Sequence, residues 1–232
     1  VIALGAVRTI DRISVGIPGL EEMMGGGFPF PSTILIAGES GTGKTTLCMQ
    51  VLFKGAKQGE RGMYLMALSE PSELMFRLMS TYEFFDQRHI GTMIRYLDLS
   101  KPLEERVDVE SLLKLIDSEV TSFQPKRIVI DSLPVLETVL SKGDYRRLLF
   151  HLASMIRSWN KVTIITADSQ CGATYPPDIA CFADGVILLY NMEMGSNRKR
   201  SIEILKMMGT RHRMGKHALD ISDEGLVVYP GL

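Results

Sequence analysis

The stretch Thr33-Ile34-Leu35-Ile36-Ala37-Gly38-Glu39-Ser40-Gly41-Thr42-Gly43-Lys44-Thr45 decides the fold. Its first five residues are apolar or β-branched throughout, as in a strand buried on both faces. Its last eight match GxxxxGK[ST] without a gap. Glycines there permit backbone angles and close approaches that a Cβ would block, so successive N–H groups can turn inward around a phosphate. A helix beginning near Lys44 adds the positive end of its dipole. Average residue usage produces such a string by accident in about one chain of this length in a hundred, so a plain glycine-rich turn is the weaker reading. The residues expected to touch a nucleotide are Glu39, Ser40, Gly41, Thr42, Gly43, Lys44, Thr45 and Thr46. The Lys44 ammonium should reach β- and γ-phosphate oxygens, and the Thr45 hydroxyl is a hard ligand suited to Mg2+.

Similar apolar runs return at 63–68, 92–97, 127–130 and 162–167, alternating with helical periods. Leu74, Met75, Leu78, Met79 and Tyr82 recur at helical spacing after Pro71, which suits a helix start. A second helix is expected over 109–123 with Asp108 as N-cap, and a third, capped by Asp144, carries Tyr145 through Trp159. Alternation of this kind predicts an α/β fold with a mainly parallel sheet flanked by helices. The last third reads differently. Close-spaced strands at 185–190, 201–208, 218–221 and 226–229, the last two joined by Ser222-Asp223-Glu224-Gly225, predict an antiparallel C-terminal extension.

Neither a linker nor an internal repeat interrupts the 232 residues, so one domain over 1–232 is expected. A chain of this size buries roughly 70 to 75% of its unfolded surface, enough for a core without disulfide or structural metal. The three cysteines, Cys48, Cys171 and Cys181, are odd in number and lack a CxxC pair. They read as packing residues in a reducing, cytoplasmic setting. No apolar run is long enough to span a membrane, and the first seven residues are too short for a secretory signal. The start at Val1 is read as a trimmed terminus. With 26 Lys plus Arg against 27 Asp plus Glu, the chain lacks the strong basic charge of a dedicated nucleic-acid binder.

A phosphate loop needs a second carboxylate to hold magnesium, at the end of a neighbouring buried strand. Asp131 follows Ile128-Val129-Ile130 and fills that position, with Ser132 available to assist. Glu70, at the end of the second strand, is the candidate for orienting water during γ-phosphate cleavage. Ser69-Glu70-Pro71-Ser72-Glu73 also reads as a helix N-terminus in which Ser69 caps and Glu70 complements the dipole. Asp168 and Gln170 end another core strand and are either γ-phosphate sensors or polar loop residues. His151 sits beside core positions on its helix and reads as packed rather than catalytic, and the 14 Met residues read as gap-fillers of the core.

With these residues identified, the chain resembles the KaiC-like branch of the RecA superfamily of ATPases over about 13–230. Val15-Gly16-Ile17-Pro18-Gly19-Leu20-Glu21 and Gly25-Gly26-Gly27-Phe28-Pro29 are similar to that family's entry segment. Arg127-Ile128-Val129-Ile130-Asp131-Ser132 resembles its second nucleotide motif. Lys206-Met207-Met208-Gly209-Thr210-Arg211-His212, ending in Asp220-Ile221 and Glu224-Gly225-Leu226, resembles its closing signature. The resemblance implies a RecA-like core, ATP held between subunits of a ring, a hexamer by analogy, and nucleotide contacts from Lys206, Thr210 and His212. Lys206 would act on the neighbour's γ-phosphate, and two-residue strand spacing puts Lys206 and Met208 on one side.

Three positions depart from the family's pattern. Met208 stands where Arg is usual, which removes a bidentate phosphate clamp. Ser69 replaces the first of two acidic residues, and Pro31 stands where Gly is usual. The first two imply slow hydrolysis. A single P-loop implies one KaiC-type domain, not a two-domain clock protein, so timekeeping and autophosphorylation are not implied.

The leading expectation is thus a Mg2+-dependent ATPase whose nucleotide state alters subunit contacts and binding of a protein partner still to be identified. An ATP-binding switch that scarcely hydrolyses is the alternative. A DNA-acting recombinase relative is weaker: Arg198-Lys199-Arg200, Arg211 and Arg213 favour it, but 168–184 contains no Lys or Arg, and the basic run reads as a solvated hairpin.

Overall fold

The computed structural model describes residues 10–67, 72–104, 108–169, 174–195 and 197–231. They begin with β1 (Arg12–Ile13), α1 (Leu20–Met23) and β2 (Phe28–Pro29), then β3 (Ser32–Gly38), α2 (Lys44–Lys57), β4 (Gly62–Met66), α3 (Ser72–Met79) and β5 (Ile94–Asp98). After these come α4 (Ser100–Glu104), α5 (Val109–Phe123), β6 (Arg127–Asp131), α6 (Lys142–Trp159), β7 (Val162–Asp168) and α7 (Pro177–Ala180). Four strands close the chain: β8 (Gly185–Met194), β9 (Asn197–Met207), β10 (Lys216–Ser222) and β11 (Gly225–Tyr229).

Among the described residues, nine strands form one sheet in the order β11-β10-β9-β8-β3-β7-β6-β4-β5. From β8 to β5 every neighbouring pair is parallel, and β8 through β11 pair antiparallel. The strand period of two explains the layers. Ile34 and Ile36 of β3, with Tyr64 and Met66 of β4, face the core formed with α2 and α3. Leu35 and Ala37, with Met63 and Leu65, face the opposite core beneath α5 and α6. Both faces are covered, which is why these strands read as unbroken apolar runs.

Several expectations are corrected. Ser141, not Asp144, is the N-cap of α6: its Oγ accepts from Asp144 N, and the Asp144 carboxylate in turn accepts from Ser141 Oγ. A Ser three residues before an acid is a capping-box pattern that an isolated Asp obscures. Tyr82 lies beyond α3 rather than on it. The β8–β9 ribbon continues to Met194↔Asn197, where apart from Met192 and Met194 its residues are polar or charged and apolar periodicity gives no signal. Met208 falls past the end of β9, so the strand-parity argument pairing it with Lys206 does not apply. His151 is exposed, edge-on to the Phe150 ring, and Cys181 is exposed while Cys48 is buried. Met208 and Met214 are exposed too, although Met23, Met24, Met49, Met63, Met66, Met75, Met79 and Met207 are core residues. Cys171, Gln170, Ser69 and Glu70 lie outside the described residues.

A buried cation fixes the far end of the sheet. Arg127 is fully buried and donates to Ser14 O at 2.6 Å, Val51 O at 2.9 Å and the Glu60 carboxylate at 3.0 Å. Gly55 of α2 must be glycine here, since a Cβ would sit 2.5 Å from Arg127 Nε. This staple ties the entry segment, α2 and β6 together, opposite the edge at which β3, β4, β6 and β7 end.

Candidate functional site

Sheet register assembles the site. Gly38 lies opposite Asp168 across β3 and β7, and Met66 opposite Asp131 across β4 and β6, so their strand ends share one edge. Open α/β sheets bind ligands at that carboxyl edge. The P-loop departs from β3 and enters α2, for which Gly43 is the N-terminal flanking residue at φ 103°. A Cβ on Gly43 would meet Ile221 Cδ1 at 2.7 Å, and one on Gly38 would meet Leu189 O at 2.5 Å. Glycine is required at Gly38 because the Leu189 backbone closes in on it, and at Gly43 because its positive φ disfavours a Cβ, with Ile221 crowding the same side. Thr42 is buried and ties the loop to itself, its hydroxyl donating to Glu39 O at 2.8 Å.

Lys44 is 9% exposed and folds back across the loop. Its ammonium donates to Gly38 O at 2.8 Å and Glu39 O at 2.9 Å, and pairs with Asp168 Oδ1 at 2.6 Å. Asp131, 8% exposed, is encircled by hydroxyl donors. Thr166 donates to one carboxylate oxygen and Tyr64 to the other, with Thr45 Oγ1 3.3 Å from the latter. Burial, reinforced by the adjacent Asp131 charge, pushes the Tyr64 hydroxyl well above its ordinary pKa, so it remains a donor. Ser132 Oγ is buried without a hydrogen-bond partner among the described residues.

Lys44, Thr45, Asp131, Ser132 and Asp168 line a cleft of about 610 Å³ with Ser40, Gly41, Gly43, Thr46, Tyr82, Arg200 and Ile221, and Tyr64 and Thr166 lie behind Asp131 rather than on the cleft wall. A larger groove of about 880 Å³ runs between α5 and α6. Its lining contains no P-loop residue, so chemistry rather than size selects the cleft. The Thr45 hydroxyl and Asp131 carboxylate fit magnesium as adjacent hard oxygen donors. No group of three or more His, Cys, Asp or Glu that could hold a metal occurs among the described residues. Magnesium suits such a site, because it commonly takes one or two carboxylates and completes its shell with phosphate and water.

The other expected nucleotide residues stand apart. Lys206 donates its ammonium to Ala183 O, Thr210 Oγ1 accepts from Arg12 Nη2 at 2.9 Å, and His212 Nδ1 is buried without a partner among the described residues. None of the three lines the cleft. Sequence reasoning missed Tyr64, Thr166, Tyr82 and Arg200 as residues of this neighbourhood. A tyrosine and a threonine at core-facing positions of apolar strands were the available signal for the first two. Arg200 belongs to a basic run assigned to a solvated hairpin, yet β9 carries it to the P-loop cleft.

The chain is similar to known proteins in sequence and in fold. The family model "ATPase: KaiC" matches residues 13–232. The circadian clock oscillator protein KaiC of Parathermosynechococcus lividus is 31% identical over 98% of this chain, which spans 44% of that protein. A UPF0273 protein of Thermotoga maritima is 29% identical over 95% of this chain and 97% of its own length. Among solved structures, the KaiC-like protein of Pyrococcus horikoshii OT3 superposes with a TM-score of 0.85 at 32% identity, covering 96% of this chain and all of that one. The P-loop, the Asp131 strand end and the antiparallel closing strands thus lie on a RecA-like core, and the chain belongs to the KaiC ATPase family.

Proposed function

We propose that this chain binds ATP with magnesium in the P-loop cleft and hydrolyses it slowly, as a regulatory ATPase whose sites are completed between subunits of a ring. The observation that carries the reading is the convergence of Lys44, Thr45 and Asp131 at one sheet edge, with Thr45 Oγ1 and Asp131 Oδ2 3.3 Å apart. The loop amides and the α2 N-terminus bind phosphate oxygens, Lys44 holds the β and γ groups, and Tyr64 and Thr166 fix the Asp131 carboxylate. Magnesium, when bound to Thr45 and through water to Asp131, would neutralise charge on the terminal phosphates. Glu70 is proposed to orient the attacking water. Tyr82 and Arg200, on the cleft wall, are available to the rest of the nucleotide. Lys206, Thr210 and His212 are proposed to serve a neighbouring subunit's nucleotide, which accords with their distance from the cleft of their own chain.

An ATP-binding switch with negligible turnover is favoured by one feature, Met208. Its thioether, 58% exposed beyond β9, supplies no cation where the family resemblance implies one. DNA binding is disfavoured because 168–184 contains no Lys or Arg, and of the basic run Arg198–Arg200 one residue, Arg200, lines the P-loop cleft. Sizing the protein with and without ATP and magnesium while measuring phosphate release separates the readings. The expected result is nucleotide-dependent assembly and slow release, abolished by Lys44→Ala and Glu70→Gln and raised by Met208→Arg. Equal release from wild type, Lys44→Ala and Glu70→Gln would end the catalytic reading.

A further inference from the structure

Lys44 has three donor hydrogens, and each has an acceptor within the chain: two loop carbonyls and Asp168. The carbonyls are neutral and belong to the loop itself. Asp168 alone brings a full negative charge, and backbone register holds it there by pairing Gly38 with Asp168. The strand is buried up to Ala167 and emerges at Asp168, whose side chain is 53% exposed. The carboxylate therefore reaches Lys44 from the solvent side of the cleft, at little desolvation cost.

A phosphate oxygen gripped by the same ammonium at about 2.8 Å lies within about 5.5 Å of the Asp168 oxygen, given the 2.6 Å ion pair. At that separation each negative phosphate charge meets a repulsion sufficient to change affinity severalfold. A diphosphate and a triphosphate differ in the terminal group that most needs the Lys44 charge. We propose that Asp168 is a specificity-determining residue, an internal substitute for the γ-phosphate that sets the preference of the site between di- and triphosphate. Its carboxylate stays on Lys44 when the nucleotide ends at the β-phosphate, and it opposes the γ-phosphate of a triphosphate. The inference rests on the reading of Lys44 as the phosphate-binding ammonium.

Calorimetric titration of the full chain with ADP and with slowly hydrolysed ATPγS, in magnesium and again in EDTA, tests it. Wild type, Asp168→Asn, Asp168→Ala and Lys44→Ala are compared, with circular dichroism confirming that each is folded. Both Asp168 variants should raise the ratio Kd(ADP)/Kd(ATPγS) roughly five- to tenfold, with and without magnesium. A ratio unchanged within about twofold overturns the proposal, as does weaker ATPγS binding confined to magnesium, the signature of a metal ligand. Lys44→Ala keeps the two ideas apart. If it binds both nucleotides as wild type does, the phosphate reading of the loop fails; if it loses both while the Asp168 variants leave the ratio unchanged, this inference alone falls.

Discussion

Gly43 and Gly41 carry the backbone demands of the P-loop to different degrees. Both have positive φ, 103° and 78°, but a Cβ on Gly43 also meets Ile221 at 2.7 Å, whereas one on Gly41 has open space. Gly43→Ala should therefore lose about 2–3 kcal/mol and Gly41→Ala about 1 kcal/mol. Urea unfolding of the two variants checks the order, and equal losses would mean that the hairpin does not press on the loop. The residues around Asp131 show why some of the site was legible and some was not. Asp131 and Lys44 announce themselves by local sequence, each adjoining an apolar strand or a glycine-rich turn. Tyr64 and Thr166 acquire their roles only when β4 and β7 flank β6, which no local pattern states.

Elements are legible where burial on both faces forces a continuous apolar run, as in β3, β4, β6 and β7, and where a helix has one apolar face, as in α5. They are illegible where solvent decides. The outer half of the β8–β9 ribbon lacks a regular apolar alternation, β9 there being charged over Arg198–Arg200, and the Ser141 cap depends on a reciprocal bond with Asp144. The far end of the sheet offers a test of element-level energetics. Burial opposes ionisation of Glu60, but hydrogen bonds and charge from Lys126 and Arg127 outweigh it and hold the carboxyl below its ordinary value of 4.5. Because the folded-state value is depressed, this contribution is present above about pH 4.5 and is lost as pH falls through the folded pKa. Glu60→Gln leaves Arg127 buried without its counter-charge, so stability at pH 7 should fall by about 3 kcal/mol. The acid limb of the stability profile should flatten in the same variant. An unchanged profile from pH 3 to about pH 7 in denaturant titrations would show that Arg127 is satisfied by carbonyls alone.

At the scale of the molecule, the sheet divides its labour between two ends. The Arg127 staple closes one, and the other gathers β3, β4, β6 and β7 termini into a polar cleft roofed by Ile221, Tyr82 and Arg200. Segments distant in sequence meet there, which is why local motifs located the P-loop and Asp131 but not Arg200. The segment containing Thr210 and His212 is held away from the cleft by Arg12 and by the Arg213 N–H bond to Met23 O at 3.0 Å. The proposed capture of terminal phosphates by the loop amides and the Lys44 ammonium underlies each of these roles. Calorimetric titration of ATP in saturating magnesium tests it most directly. Saturable heat that disappears in Lys44→Ala is the result predicted; absence of heat in the wild type, with no competition from any other triphosphate, would contradict it.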